Sequence, residues 1–228
     1  TRVITKKIEY LIQHCGYSAR SIYAVTFTNK AANEMQTRVS ALLPANQKRG
    51  LKISTFHTLG LSMIRKDYKL CGLKQGFSIL DSDDTAQIIR NFLPANMANE
   101  RDVIMGIQQQ ISSFKNNLLS PEDAFKMQTI HQLQEQAAAI YPRYQQALSA
   151  YNAVDFDDLI RLPVLLLESH NEVLEYWQNK IRHLLIDEYQ DSNTSQYLLV
   201  KKLVGVRANF TVVGDDDQSV YAWRGARP

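Results

Sequence analysis

Two kinds of segment alternate along the first and last parts of the chain. Short runs of β-branched and aromatic residues predict buried strands at residues 21–27, 51–56, 181–188 and 209–215. Longer runs, with apolar residues at helical spacing, predict amphipathic helices at residues 29–43, 57–71 and 194–204. Strands that alternate with helices are typical of an α/β fold, in which a parallel sheet carries helices on both faces.

The middle of the chain has a different pattern. From about residue 80 to residue 180 the apolar spacing is almost wholly helical, with Ser120 and Pro121 as a helix start and a long helix expected at 130–151. This block is predicted to be an all-helical subdomain inserted into the α/β domain. The expected limits are 1–58 for the first part of the α/β domain, 59–172 for the insertion and 173–228 for the second part.

The N-terminal segment keeps a helical period from its first residues. Ile4, Ile8 and Leu11 share one face, and Gly16 is a plausible helix end. No strand or loop precedes this helix, so the sequence reads as if it begins inside a longer protein.

Composition narrows the class of protein only a little. The 228 residues are 45% hydrophobic, which is enough for one or two domains, and the net charge of +3 is compatible with nucleic acid. Cys15 and Cys71 have no metal-binding spacing, which favours a reducing, cytoplasmic compartment. The sequence shows neither a secretory signal nor an apolar run of 18 residues, so no membrane association is expected.

Three acidic residues lie at or just after the end of the predicted strand at 181–188. They are Asp187, Glu188 and Asp191, and ligands of open parallel sheets bind at the carboxyl ends of strands. Mg²⁺ commonly takes one or two carboxylates together with substrate phosphates. Asp187 is therefore a candidate metal ligand, and Glu188 a candidate base that orients or deprotonates an attacking water. On these two residues alone, a helix-capping role for the acids stays open.

Five ordered segments carry a resemblance to a known family. They are AVTFTNKAANEM (24–35), ISTFHTLG (53–60), VDFDDLI (154–160), LLIDEYQDSN (184–193) and VVGDDDQSVYAWRGA (212–226). In this order they resemble the motifs of the UvrD/PcrA/Rep-like family of superfamily 1A DNA helicases, and residues 54–68 are most similar to its Rep branch. The resemblance spans the whole chain and implies a RecA-like P-loop NTPase fold.

The resemblance implies roles on the nucleotide side, with ATP and Mg²⁺ as cofactors. Thr1 and Asp187 correspond to Mg²⁺ ligands, Glu188 to the general base and Gln218 to the residue that senses the γ-phosphate. Arg224 is expected near the same site, either in a catalytic role or in a structural ion pair. The glycines and lysine of the family's P-loop are absent from the sequence, so ATP binding by these residues alone is expected to be weak or absent. A sheet that lacks the P-loop strand is also expected to have a gap at its centre.

Aromatic residues at predicted strand ends suit the stacking of bases, because every base has a π-face. The resemblance implies contacts with single-stranded DNA for Phe27, Asn29, His57, Phe156, Tyr221 and Trp223. Phe56 is interpreted as a core residue instead. The segment KNN at 115–117 is interpreted as a solvated face.

The resulting hypothesis is a fragment of an ATP-dependent 3′–5′ single-stranded DNA translocase or helicase that acts in replication or repair. The expected partners are single-stranded DNA, DNA with a 3′ single-stranded tail, and replication or repair proteins, in the bacterial cytoplasm at the nucleoid. The fragment alone is expected to be inactive in ATP hydrolysis. Two alternatives stay open: a non-catalytic DNA- or protein-binding module, and a P-loop NTPase that does not use DNA.

Overall fold

The computed structural model describes residues 2–128, 131–206 and 209–215. The chain divides into two compact units. The first unit combines the segment up to Met63 with the segment from Pro163 onward, and the second comprises Ile64–Leu162. The limits expected from the sequence, after residues 58 and 172, do not coincide with these. The second unit is thus an insertion between two parts of the first.

Six strands are present in the described residues, and four of them belong to the first unit. In chain order the strands are β1 (Ile22–Thr26), β2 (Lys52–Thr55), β3 (Ser78–Ile79), β4 (Ala153–Val154), β5 (His183–Ile186) and β6 (Asn209–Val212). Strands β1, β2, β5 and β6 overlap the four segments for which the sequence predicts strands.

Ten α-helices are described. They are α1 (Arg2–Gln13), α2 (Asn29–Leu42), α3 (Phe56–Lys66), α4 (Ser82–Arg90), α5 (Arg101–Asn116), α6 (Pro121–Lys126), α7 (Gln132–Ala150), α8 (Asp158–Ser169), α9 (Asn171–Lys180) and α10 (Thr194–Val204). Two short 3₁₀ turns, Ala19–Ser21 and Tyr189–Asp191, precede β1 and follow β5. None of the described helices is both long and apolar enough to span a membrane.

The main sheet contains four parallel strands in the order β2-β1-β5-β6. Strands β1 and β5 lie at its centre, and their five and four residues are all buried, as expected for a parallel strand covered on both faces. The expected gap at the centre is wrong for the described strands, because each of the four is hydrogen-bonded to the next. Strand β6 instead lies at an edge of this sheet, and most of its residues are exposed.

Helices cover both faces of the sheet, which confirms the α/β prediction. Ile22, Ala24 and Leu185 point to one face, where they pack with apolar residues of α1 and α2 such as Ile4 and Met35. Tyr23 alternates to the other face. There burial raises the pKa of the Tyr23 phenol, and the nearby charge of Lys180 on α9 offsets part of that rise.

The second unit has its own core, which lies between α4, α5, α6 and α7. Ile107, Phe114 and Tyr141 are among its fully buried members, and the rings of Phe114 and Tyr141 stack at 5.8 Å. The expectation that this unit is all-helical is wrong in one detail, since β3 and β4 form a short parallel pair. Two residues per strand are too few for the alternation that predicts strands from sequence.

Helix starts follow the capping chemistry expected from the sequence. Ser120 accepts the backbone N–H of Asp123, with Pro121 as the first residue of α6. Asn193 makes the same kind of capping box at the start of α10 with Gln196. These local bonds fix where each helix begins, and Asn193 therefore limits the loop between β5 and α10 to a few residues.

Candidate functional site

The carboxyl ends of the four main strands lie along one edge of the sheet. The pairing of Thr26 with Thr55, and of Ile186 with Val212, puts the residues that follow each of these two pairs of strands side by side, and the two levels differ by one residue. Those residues are Phe27 after β1, Phe56 after β2, Asp187 after β5 and Val213 after β6. The fold therefore brings the predicted Asp187, Glu188 and Phe27 to a single edge.

Asp187 is almost fully enclosed, with 1% of its surface exposed. Its backbone N–H donates to the carbonyl of Val25 at 3.1 Å, so it continues the pairing of β5 with β1. Its Oδ1 accepts the backbone N–H of Glu188 at 3.2 Å. A carboxylate held this deeply is costly unless a positive charge or good hydrogen-bond donors balance it.

The pairing between β5 and β6 changes its register at Glu188. Val213 donates to the carbonyl of Ile186 at 2.8 Å, and in a regular parallel ladder the next donor would be the N–H of Glu188. The carbonyl of Val213 instead accepts the N–H of Tyr189 at 3.0 Å, one residue later. The extra residue forms a β-bulge, a device that redirects a side chain at the end of a strand.

Glu188 has a backbone conformation that side chains rarely adopt. Its φ of 55° and ψ of 41° lie in the left-handed helical region, although it is not glycine. Such residues persist where their surroundings hold them, and they are common at functional sites. The bulge and the left-handed turn change the path of the backbone at Glu188, and the Asp187 and Glu188 carboxylates have different hydrogen-bond partners.

Gln190 is a buried residue of the same turn, and its sequence context predicts no role for it. Its side-chain amide donates to Oε2 of Glu188 at 2.7 Å and accepts the backbone N–H of Asp215 at 3.1 Å. The sequence places it inside the quoted motif, but a glutamine there gives no signal of burial. Only the fold shows that it faces the loop after β6.

Thr26 ends β1 next to the position of Asp187. It is 1% exposed, and its hydroxyl oxygen is buried without a hydrogen-bond partner among the described residues. Buried hydroxyls are usually paired, so a water or a hydrated ion beside this oxygen would complete its hydrogen bonding. The enclosed carboxylate and this hydroxyl are both oxygen donors, the type that Mg²⁺ prefers.

The described residues contain no cluster of three or more histidines, cysteines or acids that could enclose a metal ion. A cation at this edge would therefore rely on few protein ligands. A small number of protein ligands is usual for Mg²⁺, which keeps several water ligands and is bound through one or two carboxylates and substrate phosphates.

Two aromatic rings lie together at the ends of β1 and β2. The rings of Phe27 and Phe56 are 5.2 Å apart and inclined at 52°. Phe56 is 1% exposed, as its interpretation as a core residue requires, whereas Phe27 is half-buried. Phe56 thus supports one side of the Phe27 ring, while part of that ring faces solvent.

Asn29 and His57 each lie in the first turn of a helix that follows one of these strands. Asn29 is exposed at the start of α2, whose cap is Thr28, and Thr28 accepts the N–H of Ala31 at 3.1 Å. His57 is partly exposed in α3, whose first turn is held by a bond from the N–H of Thr58 to the Thr55 hydroxyl. The structure therefore puts Phe27, Asn29 and His57 at the edge that carries Asp187.

Phe156 belongs to the second unit, where it is 54% exposed. It lies between β4 and α8, in a turn whose neighbouring acids point inward. Oδ1 of Asp155 accepts the N–H of Asp158 at 3.0 Å, which closes this turn. The turn therefore fixes the backbone on both sides of an exposed aromatic ring.

A lysine is buried beneath this turn. Lys115 on α5 is 0% exposed, and its Nζ lies 2.7 Å from Oδ2 of Asp155 and 3.0 Å from Oδ2 of Asp158. The hydroxyl of Tyr144 on α7 donates to the same Asp155 oxygen at 2.7 Å. The interpretation of residues 115–117 as a solvated face is therefore wrong for Lys115. Its position four residues after the buried Ile111 is the signal that could have shown it.

The charges around Lys115 balance if one of the three acids keeps its proton. Two cations, Lys115 and Arg161, face Asp155, Asp157 and Asp158. The lysine charge and its hydrogen bond hold the pKa of Asp155 below its usual value, despite the opposing effect of burial. Burial, followed by the negative charge of Asp155, raises the pKa of Asp157 from 3.8 to about 7. Burial, followed by the same Asp155 charge, also raises the pKa of Asp158, so Asp157 and Asp158 are the two acids that favour the proton.

We expect the Asp157 proton to make the protein less stable as the pH rises. The folded-state pKa is higher than the unfolded value of 3.8. The contribution of this proton to stability is therefore complete below pH 3.8, decreases as the pH rises, and is lost above about 7. Asp157→Asn cannot ionise, so its melting temperature should exceed the wild-type value by a margin that grows between pH 4 and pH 8. Thermal melts of both proteins across this range test the expectation, and a margin independent of pH would contradict it.

Five predicted site residues lie outside the described residues. They are Thr1, Gln218, Tyr221, Trp223 and Arg224. Asp215 is described, and it precedes Gln218 by three positions in the sequence.

Comparison with protein families decides the relationship. The model of the UvrD/REP helicase N-terminal domain matches residues 1–228, which is the whole chain. The chain belongs to the UvrD/REP helicase family. Its resemblance to superfamily 1A helicases is thereby confirmed, as is the RecA-like class of its fold.

Individual UvrD/REP relatives agree with the family match. The chain is 52% identical over all of its 228 residues to the ATP-dependent DNA helicase Rep of Escherichia coli, and covers 34% of that protein. It is 42% identical over 227 residues to the ATP-dependent DNA helicase PcrA of Staphylococcus aureus, and covers 31% of it. A Rep of Buchnera aphidicola is also 42% identical, over 228 residues. The chain thus spans about a third of the length of these relatives.

Proposed function

We propose that this chain is the first motor region of an ATP-dependent DNA helicase that moves 3′ to 5′ along single-stranded DNA. The observation that carries the proposal is the shared edge of the sheet, where Asp187 and Glu188 lie beside the partly exposed Phe27. The adjacent strands β5 and β1 thus place an acid pair suited to phosphate chemistry beside an aromatic ring suited to base stacking. The names of the relatives agree with this function.

On the nucleotide side, Asp187 would hold Mg²⁺ directly or through water, with Thr1 as a second ligand. The enclosed carboxylate and the buried Thr26 hydroxyl fit such an ion. Bound Mg²⁺ would neutralise negative charge on the ATP phosphates. Glu188, which lies at the bulge, orients the attacking water and accepts its proton. Gln218 and Arg224 are proposed to act at the γ-phosphate.

On the DNA side, Phe27, Asn29, His57, Phe156, Tyr221 and Trp223 are proposed to contact single-stranded DNA. Phe27 has the geometry for this role, because Phe56 fixes one side of its ring and leaves part of it accessible. Stacking on an aromatic ring contributes about 1–3 kcal/mol per base, which is small enough for repeated release during movement.

The cellular setting follows from the same proposal. DNA with a 3′ single-stranded tail is the expected substrate for unwinding, and replication or repair proteins are the expected partners. The protein would act in the bacterial cytoplasm, at the nucleoid.

We expect single-stranded DNA to stimulate ATP hydrolysis by the full-length protein, and Phe27→Leu to weaken that response. Leucine keeps an apolar contact with Phe56 but removes the flat ring, so the DNA concentration for half-maximal stimulation should rise about tenfold. Steady-state ATPase assays across a DNA titration measure this.

The matched control is Phe125→Leu, which changes an exposed phenylalanine of α6 and should leave the titration unchanged. A rate of ATP hydrolysis that does not change with DNA concentration would favour a P-loop NTPase that does not use DNA. DNA binding by the full-length protein without any ATP hydrolysis would favour a binding module.

A further inference from the structure

We propose that Gln190 is a positioning residue for Glu188, and that it ties the Glu188 carboxylate to the loop that follows β6. The inference rests on the proposed function, in which Glu188 is the base for ATP hydrolysis. Gln190 is 3% exposed and uses both ends of its side-chain amide. Its Nε2 donates to Glu188 and its Oε1 accepts from Asp215.

The bond to Glu188 has a specific purpose in this geometry. The left-handed backbone of Glu188 sets where its side chain starts, but several rotatable bonds separate that point from the carboxylate. The donor on Gln190 holds one carboxylate oxygen at 2.7 Å, which selects one orientation of the group. In the proposed reaction, the second oxygen is the one that accepts the proton of the attacking water.

Gln190 is itself held by the turn that contains it. The 3₁₀ turn Tyr189–Asp191 is closed by bonds from the N–H of Asp191 to the carbonyl of Glu188 and from the N–H of Ser192 to that of Tyr189, both 3.0 Å long. A donor on a fixed backbone can position its acceptor, whereas a donor on a mobile loop cannot.

The contact between Gln190 and Asp215 requires glycine at the neighbouring position 214. A Cβ at Gly214 would lie 2.7 Å from Oε1 of Gln190 and 3.2 Å from its backbone nitrogen. Glycine therefore allows the loop after β6 to approach closely enough for Asp215 to donate to Gln190. The same amide thus contacts the base and a loop whose sequence continues to Gln218, so a change in that loop can reach Glu188 through one side chain.

The test uses the full-length protein, two single variants, their double variant and one control variant. Gln190→Met keeps the length of the side chain and removes both polar ends. We expect its kcat for ATP hydrolysis to fall about 10- to 100-fold, the usual loss when a partner that orients an active-site ligand is removed. The KM for ATP, and the affinity for a non-hydrolysable ATP analogue measured by calorimetry, should change less than about threefold.

The double variant of Gln190→Met and Glu188→Gln shows whether Gln190 acts through Glu188. If it does, adding Gln190→Met to Glu188→Gln should lower kcat no further, whereas two independent effects would multiply. Gln178→Met is the matched control, because Gln178 is partly buried and its side-chain amide also donates a hydrogen bond, to the backbone carbonyl of Lys202, away from this edge. Its kcat should equal that of the wild type.

The outcomes separate the two proposals. An inactive wild-type protein refutes the proposed function. An active wild type with an unchanged Gln190→Met, or with effects that multiply in the double variant, refutes the role of Gln190 alone. A fall in kcat accompanied by an equal loss of nucleotide affinity also refutes it, since it would indicate a general disturbance of the site.

Discussion

Replacement of Asp187 by asparagine in the full-length protein is expected to lower kcat for ATP hydrolysis by about 100- to 1,000-fold. Asparagine preserves the size of the side chain and the acceptor for the N–H of Glu188, but it removes the charge that would hold Mg²⁺. The fold should survive, since a neutral group is less costly than a carboxylate at a position only 1% exposed. Steady-state ATPase assays and thermal melts measure the two effects.

Asp83→Asn provides the control for this variant. Asp83 is an exposed acid in the first turn of α4, and removal of its charge should leave kcat unchanged. Full turnover in Asp187→Asn would refute the metal-binding role of Asp187. A lower melting temperature accompanied by lower activity would instead identify Asp187 as a structural residue.

Replacement of Lys115 by methionine is expected to destabilise the second unit by about 3–5 kcal/mol. Methionine fills much of the same space, but Asp155 and Asp158 would remain buried without the cation that now lies within 3.0 Å of both. Chemical denaturation of the variant and the wild type measures the free energy of unfolding. The exposed Lys6, paired with Glu9 on α1, is the control, and Lys6→Met should cost only about 0–1 kcal/mol.

A further variant distinguishes uncompensated charge from lost packing as the cause of the Lys115→Met effect. If uncompensated charge is the cause, adding Asp155→Asn and Asp158→Asn to Lys115→Met should restore part of the stability, because the two carboxylates that lost the lysine are then neutral. The recovery should be incomplete, since Arg161 loses the charge of Asp158. A triple variant less stable than Lys115→Met would show that the hydrogen bonds of the two acids matter more than their charges.

The main elements could be predicted from the sequence because their signals are local. The pattern at 194–204 predicts a helix with the limits that α10 has, and the structure adds that Asn193 caps its start. Strands β1 and β5 were expected because runs such as Ile22–Thr26 are apolar and β-branched. The pair β3–β4 was not expected, because its two residues per strand are defined by their partners and not by their own pattern.

Burial of individual polar residues could not be predicted in the same way. Lys115 was expected in solvent because lysine is usually exposed, and its burial depends on acids 40 and 43 positions later in the chain. The sequence pattern predicts no role for Gln190, because its contact with Asp215 exists only once β6 lies beside β5.

The sequence by itself determined the family, the alternation of strands and helices, and the acids at the end of β5, since each depends on residues close together along the chain. Tertiary structure alone decided that the four strands pair without a gap, that a bulge forms at Glu188, and that a lysine is buried against the acids on either side of Phe156. These features depend on pairing and desolvation between distant segments, whose free energies no local pattern records.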